Sequence, residues 1–125
     1  MSRITLRIDL DGHGSIGPGK VRLLELVADS GSMQKAAAAM AMSYAHAWKL
    51  IQETGATFGA PLVDASAGGA KGGGTKLTAL GRKVVALYRR AEAQAAKAAQ
   101  SEIDLLKKSA QGKSARRRPL KPKRA

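Results

Sequence analysis

Ser32-Met-Gln-Lys-Ala-Ala-Ala-Ala-Met-Ala-Met-Ser-Tyr-Ala-His-Ala-Trp-Lys-Leu-Ile-Gln-Glu-Thr-Gly55 reads as two short helices joined by a tight turn. Ser32 can cap the first helix, its side-chain oxygen taking an N–H that the opening turn leaves unsatisfied, and Ser43 can cap the second. Ala36, Ala37 and Met40 make the apolar stripe of the first. Ala47, Leu50, Ile51 and Thr54 make the inward face of the second, with Gly55 as the expected stop. Met40-Ala41-Met42 is left for the turn, and the small side chains at 36 and 37 let the two helices cross closely. Two capped helices so joined form a helix-turn-helix pattern.

Downstream, Ser66-Ala-Gly-Gly-Ala-Lys-Gly-Gly-Gly-Thr-Lys-Leu-Thr-Ala-Leu-Gly81 is a glycine-packed loop carrying two lysines. A short strand near Leu62 to Ala65 precedes it, and Thr75 to Thr78 supplies an antiparallel partner, so the segment reads as a hairpin wing. The glycines have a rival reading as a phosphate cradle. Gly69 and Gly74 have the spacing of a nucleotide-binding loop, but Thr75-Lys76 follows in reversed order, which disfavours an NTPase. A hairpin tip accounts for them better: glycine lets the backbone come close to a phosphate, and Lys71, Gly72, Gly73 and Lys76 form the gripping arm.

The flanking segments complete the domain. Arg3 to Leu10 alternates, with Ile4, Leu6, Ile8 and Leu10 on one face, as a half-buried strand ending at Asp11-Gly12 does. Gly14 to Gly17 reads as loop, and Pro18 suits the first turn of a helix whose inward positions are Val21, Leu24, Val27 and Ala28, stopped by Gly31. Thr78 caps a last helix from Ala79 to Leu106, about 28 residues or about 42 Å long. Its stripe of Leu80, Val84, Leu87, Tyr88, Ala91, Ala95, Ala98, Leu105 and Leu106 outruns anything a domain this small can cover, so a second copy is expected against it. The expected fold is mainly α with a small β-hairpin wing: a winged helix-turn-helix with a long C-terminal dimerisation helix over residues 1–107, then a basic disordered tail over 108–125.

Charge points to the partner. The chain of 125 residues carries a net +13, divided unevenly. From Lys107 onward there are nine cations and no acid, whereas the preceding residues net +4. Such a tail draws polyanions without reading sequence, and nucleic acid is the expected one. The absence of cysteine excludes disulfides and thiolate metal sites. No apolar run is long enough for a signal peptide or a bilayer span, so a soluble, cytoplasmic protein is expected, with no membrane contact. His13 and His46 have no metal-ligand companion at useful spacing, and Asp9 and Asp11 converge with nothing suited to acid–base work. No enzyme, cofactor or metal is expected.

Four segments carry a family resemblance: Ser32-Met-Gln-Lys-Ala-Ala, Met42-Ser-Tyr-Ala-His-Ala-Trp, Gly68-Gly-Ala-Lys-Gly-Gly-Gly and Leu77-Thr-Ala-Leu-Gly. In this order, across roughly residues 3 to 107, they resemble the N-terminal DNA-binding domain of ModE-type molybdate-responsive regulators. A more distant likeness to LysR-type regulators rests on Ala36-Ala37 and Phe58-Gly-Ala-Pro-Leu. The resemblance implies a winged-helix fold, a dimer through the last helix and a palindromic operator. Two departures stand out. Family members continue into a molybdate-binding domain; Lys113-Ser-Ala-Arg116 resembles the opening of one, but Arg-Arg-Pro-Leu-Lys-Pro follows instead and the sequence to Ala125 leaves no room for it, so no molybdate binding is expected. Family members also tend to have Val-Glu-Arg before the wing where this chain has Val63-Asp64-Ala65, leaving Lys71 or Lys76 to supply a phosphate contact.

The second helix of the pair is the expected reader of double-stranded DNA, since the N-terminal residues of that helix meet base edges in the major groove. Ser43, Tyr44, Ala45, His46 and Lys49 are the candidate contacts. Ser43 and Tyr44 can donate hydrogen bonds, Ala45 can touch a thymine methyl, and Lys49 can reach guanine or phosphate. Trp48, one turn after Tyr44, can either stack on DNA or pack against a neighbouring helix, and packing is the commoner use of a lone tryptophan. Gln34 and Lys35 open the preceding helix and suit a phosphate clamp. A sequence-specific transcriptional regulator is therefore expected, the alternatives being a nucleoid-associated protein that binds without preference and an adaptor that holds a partner protein.

Overall fold

The computed structural model describes residues 2–65 and 74–110, arranged as β1 (Ile8–Asp9), β2 (Ser15–Ile16), α1 (Pro18–Ser30), α2 (Met33–Ala39), α3 (Tyr44–Phe58), β3 (Val63–Asp64), β4 (Lys76–Leu77), α4 (Ala79–Ala98) and α5 (Gln100–Ala110). The wing tip with Lys71, Gly72 and Gly73, and the basic segment from residue 111, lie outside the described residues. Two compact units result: Thr5–Glu92, and a second that takes up Ala93 onward with the residues up to Ile4.

The first unit begins with a hairpin where the sequence suggested a lone strand and a loop. Asp11 and Gly12 both adopt positive φ (42° and 86°), the central pair of a tight turn inside a three-residue hairpin loop that closes at Gly14. The His13 N–H donates to the Leu10 carbonyl at 2.8 Å, and Ile8 then faces Ile16 across an antiparallel pair. The expected alternation survives: Leu6, Ile8 and Leu10 are half-buried between exposed neighbours, although only Ile8–Asp9 is paired.

Helix α1 starts on Pro18 and ends on Gly31, whose φ of 69° lets its N–H donate back to Val27. Val21, Leu23, Leu24 and Val27 are buried, each worth about 1.5–3 kcal/mol of transfer free energy. Leu23, not Ala28, is the fourth buried position, because the face that α1 buries is turned further toward 23 and 27.

The helix pair forms as its sequence dictates. The Ser32 hydroxyl accepts from the Lys35 N–H at 3.1 Å, and the Ser43 hydroxyl accepts from the His46 N–H at 3.0 Å. Between them the Met42 N–H donates to the Ala37 carbonyl, and Ala41 takes a φ of 56°. Ala36 and Ala37 are buried at the crossing. Gly55 does not stop α3, which runs on to Phe58 and ends at Gly59 with φ 79°. Gly55 is instead a close-approach site, since a Cβ there would stand 3.1 Å from the Ala60 carbonyl oxygen.

Strands β3 and β4 pair antiparallel with Val63 opposite Leu77 and Asp64 opposite Lys76. The hairpin base is tied to the end of α1 and to the segment entering β3. Thr75 donates its N–H to Gly31 at 3.0 Å, and Thr78 donates its N–H to Leu62 and its hydroxyl to Pro61. The Thr78 hydroxyl oxygen also accepts from the Gly81 N–H, the expected cap of α4. Gly81 is obligatory for this packing, because a Cβ there would collide with the Leu62 carbonyl. Val84 and Tyr88 carry α4 into the core, where the Tyr88 hydroxyl donates to the Leu6 carbonyl at 2.7 Å.

In the second unit the anticipated single helix is interrupted at one residue. Ala99 lies between α4 and α5, yet its N–H donates to Ala95 and its carbonyl accepts from Ile103, so the helical hydrogen-bond ladder passes through it. Helix α5 continues to Ala110, past the start assigned to the tail. No helix among the described residues is long and apolar enough to cross a membrane.

Candidate nucleic-acid interface

Capping decides where the exposed start of α3 lies. Ser43 has extended backbone (φ −72°, ψ 157°) while its oxygen satisfies the His46 N–H, so α3 begins at Tyr44. Burial of Ala47, Ile51 and Thr54 against the core forces the opposite face outward. Ser43, Tyr44, Ala45, His46 and Lys49 are all exposed, and Tyr44 keeps 55 % of its surface. The five candidates thus lie exposed in the first turns of α3, and Gln52, one turn further on, is exposed as well.

Trp48 divides its surface between the two environments. It is half-buried and packed on the core, as the packing alternative had it, and it also presents its ring to Tyr44 edge to face, with centroids 6.3 Å apart and planes at 79°. Gln34 and Lys35 stand exposed in the first turn of α2, the Lys35 N–H being held by Ser32. Lys76 is exposed on β4 directly opposite Asp64, so the ammonium shares its strand position with a carboxylate. Lys71, Gly72 and Gly73 lie outside the described residues.

One cation escaped the sequence reading. Arg82 is exposed in the first turn of α4, and its Nη1 donates to the Leu77 carbonyl at 3.0 Å, which fixes the guanidinium at the base of the wing. Its signal was positional: an arginine four residues after the capping Thr78 falls one turn into the helix, beside the strand that feeds it.

The nucleotide-cradle alternative meets two obstacles. The loop returns into strand β4 rather than opening directly into a helix, and the Thr75 N–H is committed to the Gly31 carbonyl. Among the described residues, no three His, Asp or Glu side chains cluster in a way that could hold a metal ion.

A salt-linked cluster joins α4 to α1. Arg89 on α4 donates Nε and Nη2 to the two oxygens of Glu25 on α1, each at 2.9 Å, and its Nη1 to Glu92 at 2.6 Å. The paired guanidinium holds the Glu25 carboxyl below its ordinary value of 4.5, outweighing the opposing effect of burial. The two carboxylates hold the Arg89 guanidinium more firmly protonated than usual.

Residues 19–82, which take in α1, the helix pair, the wing and the start of α4, match the model of the bacterial regulatory helix-turn-helix protein, lysR family. The chain belongs to that family. The chain is also similar to ModE proteins. The molybdenum transport protein ModE of Azotobacter vinelandii is 39% identical over 87 residues, 70% of this chain and 32% of that protein. The molybdenum-pterin-binding protein MopB of Rhodobacter capsulatus is 39% identical over 82 residues, 66% of this chain and 30% of the other. The DNA-binding transcriptional dual regulator ModE of Escherichia coli K12 is 33% identical over 87 residues, 70% of this chain and 33% of that one. The chain therefore spans about a third of the length of the curated relatives it matches. In structure it is similar to CbnR, a LysR family transcriptional regulator, with a TM-score of 0.52 at 24% identity over 67% of this chain and 27% of that one. The family membership and this shared fold make the first unit a helix-turn-helix DNA-binding domain of the kind carried by transcriptional regulators.

Proposed function

We propose that the chain is a homodimeric, sequence-specific regulator of transcription that reads double-stranded DNA in the major groove with α3. The single observation carrying this is the exposed edge Ser43–Tyr44–Ala45–His46–Lys49 at the capped start of α3, on a helix whose other face is buried. In this reading Lys49 and Tyr44 meet bases, while Gln34, Lys35, Lys71, Gly72, Gly73 and Lys76 meet backbone phosphate, with Arg82 supporting the wing base. The basic segment beyond residue 110 adds sequence-independent attraction that weakens with salt.

Dimerisation through the helical stretch from Ala79 to Leu106 is part of the proposal. Leu87 is 49 % exposed on α4, and Leu105 and Leu106 are 63 % and 69 % exposed on α5, apolar surface for which a second copy is the natural cover. A two-fold dimer presents two reading helices, and so favours a palindromic site. Names of the relatives point to molybdenum-related genes as the regulated set. The proposal assigns no molybdate site to this chain, no catalysis and no cofactor, and places it in the cytoplasm with its DNA.

Footprinting in the presence of excess competitor DNA tests the reading. A discrete protected palindrome is expected; uniform coating of the duplex means a nucleoid-associated role instead. An adaptor role predicts that the chain truncated after Ser109 retards no DNA at moderate salt.

A further inference from the structure

We infer that Trp48 is a positioning residue for Tyr44, holding the phenol ring in one orientation so that Tyr44 determines sequence preference. The inference rests on the function proposed above. Helical side chains lean toward the N-terminus, so Trp48 lies back over the turn that carries Tyr44, four residues earlier. Tyr44 is the first residue of α3 and has no earlier turn of its own helix to lean on. The edge-to-face contact with Trp48, at 6.3 Å and 79°, is the ring contact that Tyr44 makes among the described residues, and its hydroxyl bonds to none of them.

Trp48 can serve as a buttress because it is itself anchored. It packs against the core and lines a groove with Ile51, Gly55, Pro61 and Leu62, where Gly55 leaves room for the chain to pass closely. Rigid core, half-buried tryptophan and exposed tyrosine thus form a continuous series ending at the start of α3. An unsupported tyrosine loses rotamer freedom on meeting a base edge, whereas a supported one has lost it already. That difference is worth about two- to tenfold in affinity for one side chain. It acts only where the hydroxyl or ring meets a particular base, so it appears as preference among sequences and not as general affinity.

The experiment uses the full chain and two duplexes: one enriched by it from a random pool, and a shuffled duplex of the same composition. Dissociation constants are measured for the parent, Tyr44→Ala, Trp48→Ala, the double variant and Trp48→Phe. Tyr44→Ala is expected to lower the ratio of the two affinities about tenfold and Trp48→Ala about fivefold, with the double variant no worse than Tyr44→Ala alone. Trp48→Phe, which keeps an aromatic edge, retains most of the preference. Losses that add in the double variant, or that fall equally on both duplexes, overturn the inference. Should Trp48→Ala fail to fold, Trp48→Leu takes its place in the cycle, filling the groove without offering a ring edge, and the same non-additivity is required. Trp48 is the chain's single tryptophan, so its emission must also shift in free, folded Tyr44→Ala; an unchanged spectrum counts against the contact. A pool that yields no enriched sequence overturns the proposed function and this inference with it. An enriched sequence bound equally well by Tyr44→Ala overturns the inference alone.

Discussion

Arg89 and Glu25, 64 residues apart in sequence, meet through two hydrogen bonds of 2.9 Å that join α4 to α1. Because the partner guanidinium holds the Glu25 carboxyl below its ordinary 4.5, the ionised form is the one the fold prefers. Stability from this pair is therefore fully present above about pH 4.5 and is lost as pH falls through the depressed value. Urea midpoints at pH 7 and pH 3.5 check this. The parent is expected to lose stability over that interval, and Glu25→Gln to lose less of it. Arg89→Lys should not restore the pair, since an ammonium cannot donate in parallel to both oxygens. Arg89 is partly exposed, so about 1 kcal/mol is the expected scale.

Two glycines in helices should behave oppositely. At Gly81 a Cβ would strike the Leu62 carbonyl, a backbone atom fixed by its hydrogen bond from Thr78, so Gly81→Ala should destabilise by about 3 kcal/mol. At Gly19 in α1 nothing lies within 4 Å, and Gly19→Ala should be neutral or stabilise by about 0.5 kcal/mol. Thermal melts of the two variants give the comparison directly. Equal effects would mean that the α4 start is not packed against Leu62.

Ser43 caps α3 and, in the proposed function, also lies at the edge that meets DNA. Its oxygen caps α3, so Ser43→Ala should cost about 1 kcal/mol of stability, while Ser43→Asp, which caps equally well, should cost little. In the proposed function the order changes on DNA, because an aspartate at the start of α3 would repel phosphate. Expected is a stable Ser43→Asp protein with weakened binding to every duplex.

Lys49→Ala should weaken binding to a selected site more than to a shuffled duplex, whereas Lys71→Ala should weaken both alike and reduce the salt dependence of binding by about one counterion. Titrations at several salt concentrations separate the two. Equal losses for both variants would remove α3 from the role of reader.

Leu87→Asp and Leu106→Asp each place a charge on apolar surface that the proposal covers with a second copy. Sedimentation should show the parent as a dimer and each variant shifted toward monomer, with the far-ultraviolet helix signal retained. A parent that sediments as a monomer at tens of micromolar would end the dimer proposal.

Local chemistry made much of this molecule legible. Ser32, Ser43 and Thr78 mark helix starts because a side-chain oxygen two or three residues before a free N–H has few other uses. The alternation from Ile4 to Leu10, the tight turn at Ala41 and the pairing of the strands beside the wing followed from spacing in the same way. Where the reading erred, the cause lay in partners distant along the chain. Gly55 looked like a helix stop, yet what it meets is the Ala60 carbonyl, and only the folded loop brings that atom near. Ser15–Ile16 looked like loop until Ile8 stood across from it.

The sequence by itself determined where the helices start, the caps at Ser32, Ser43 and Thr78, and the cationic character of the wing and tail, because those depend on groups a few residues apart. Tertiary structure alone decided that Gly55 meets the Ala60 carbonyl, that Trp48 faces both the core and Tyr44, and that Glu25 meets Arg89. Those outcomes depend on contacts between remote segments, which hydrophobic burial selects only when the whole chain packs at once.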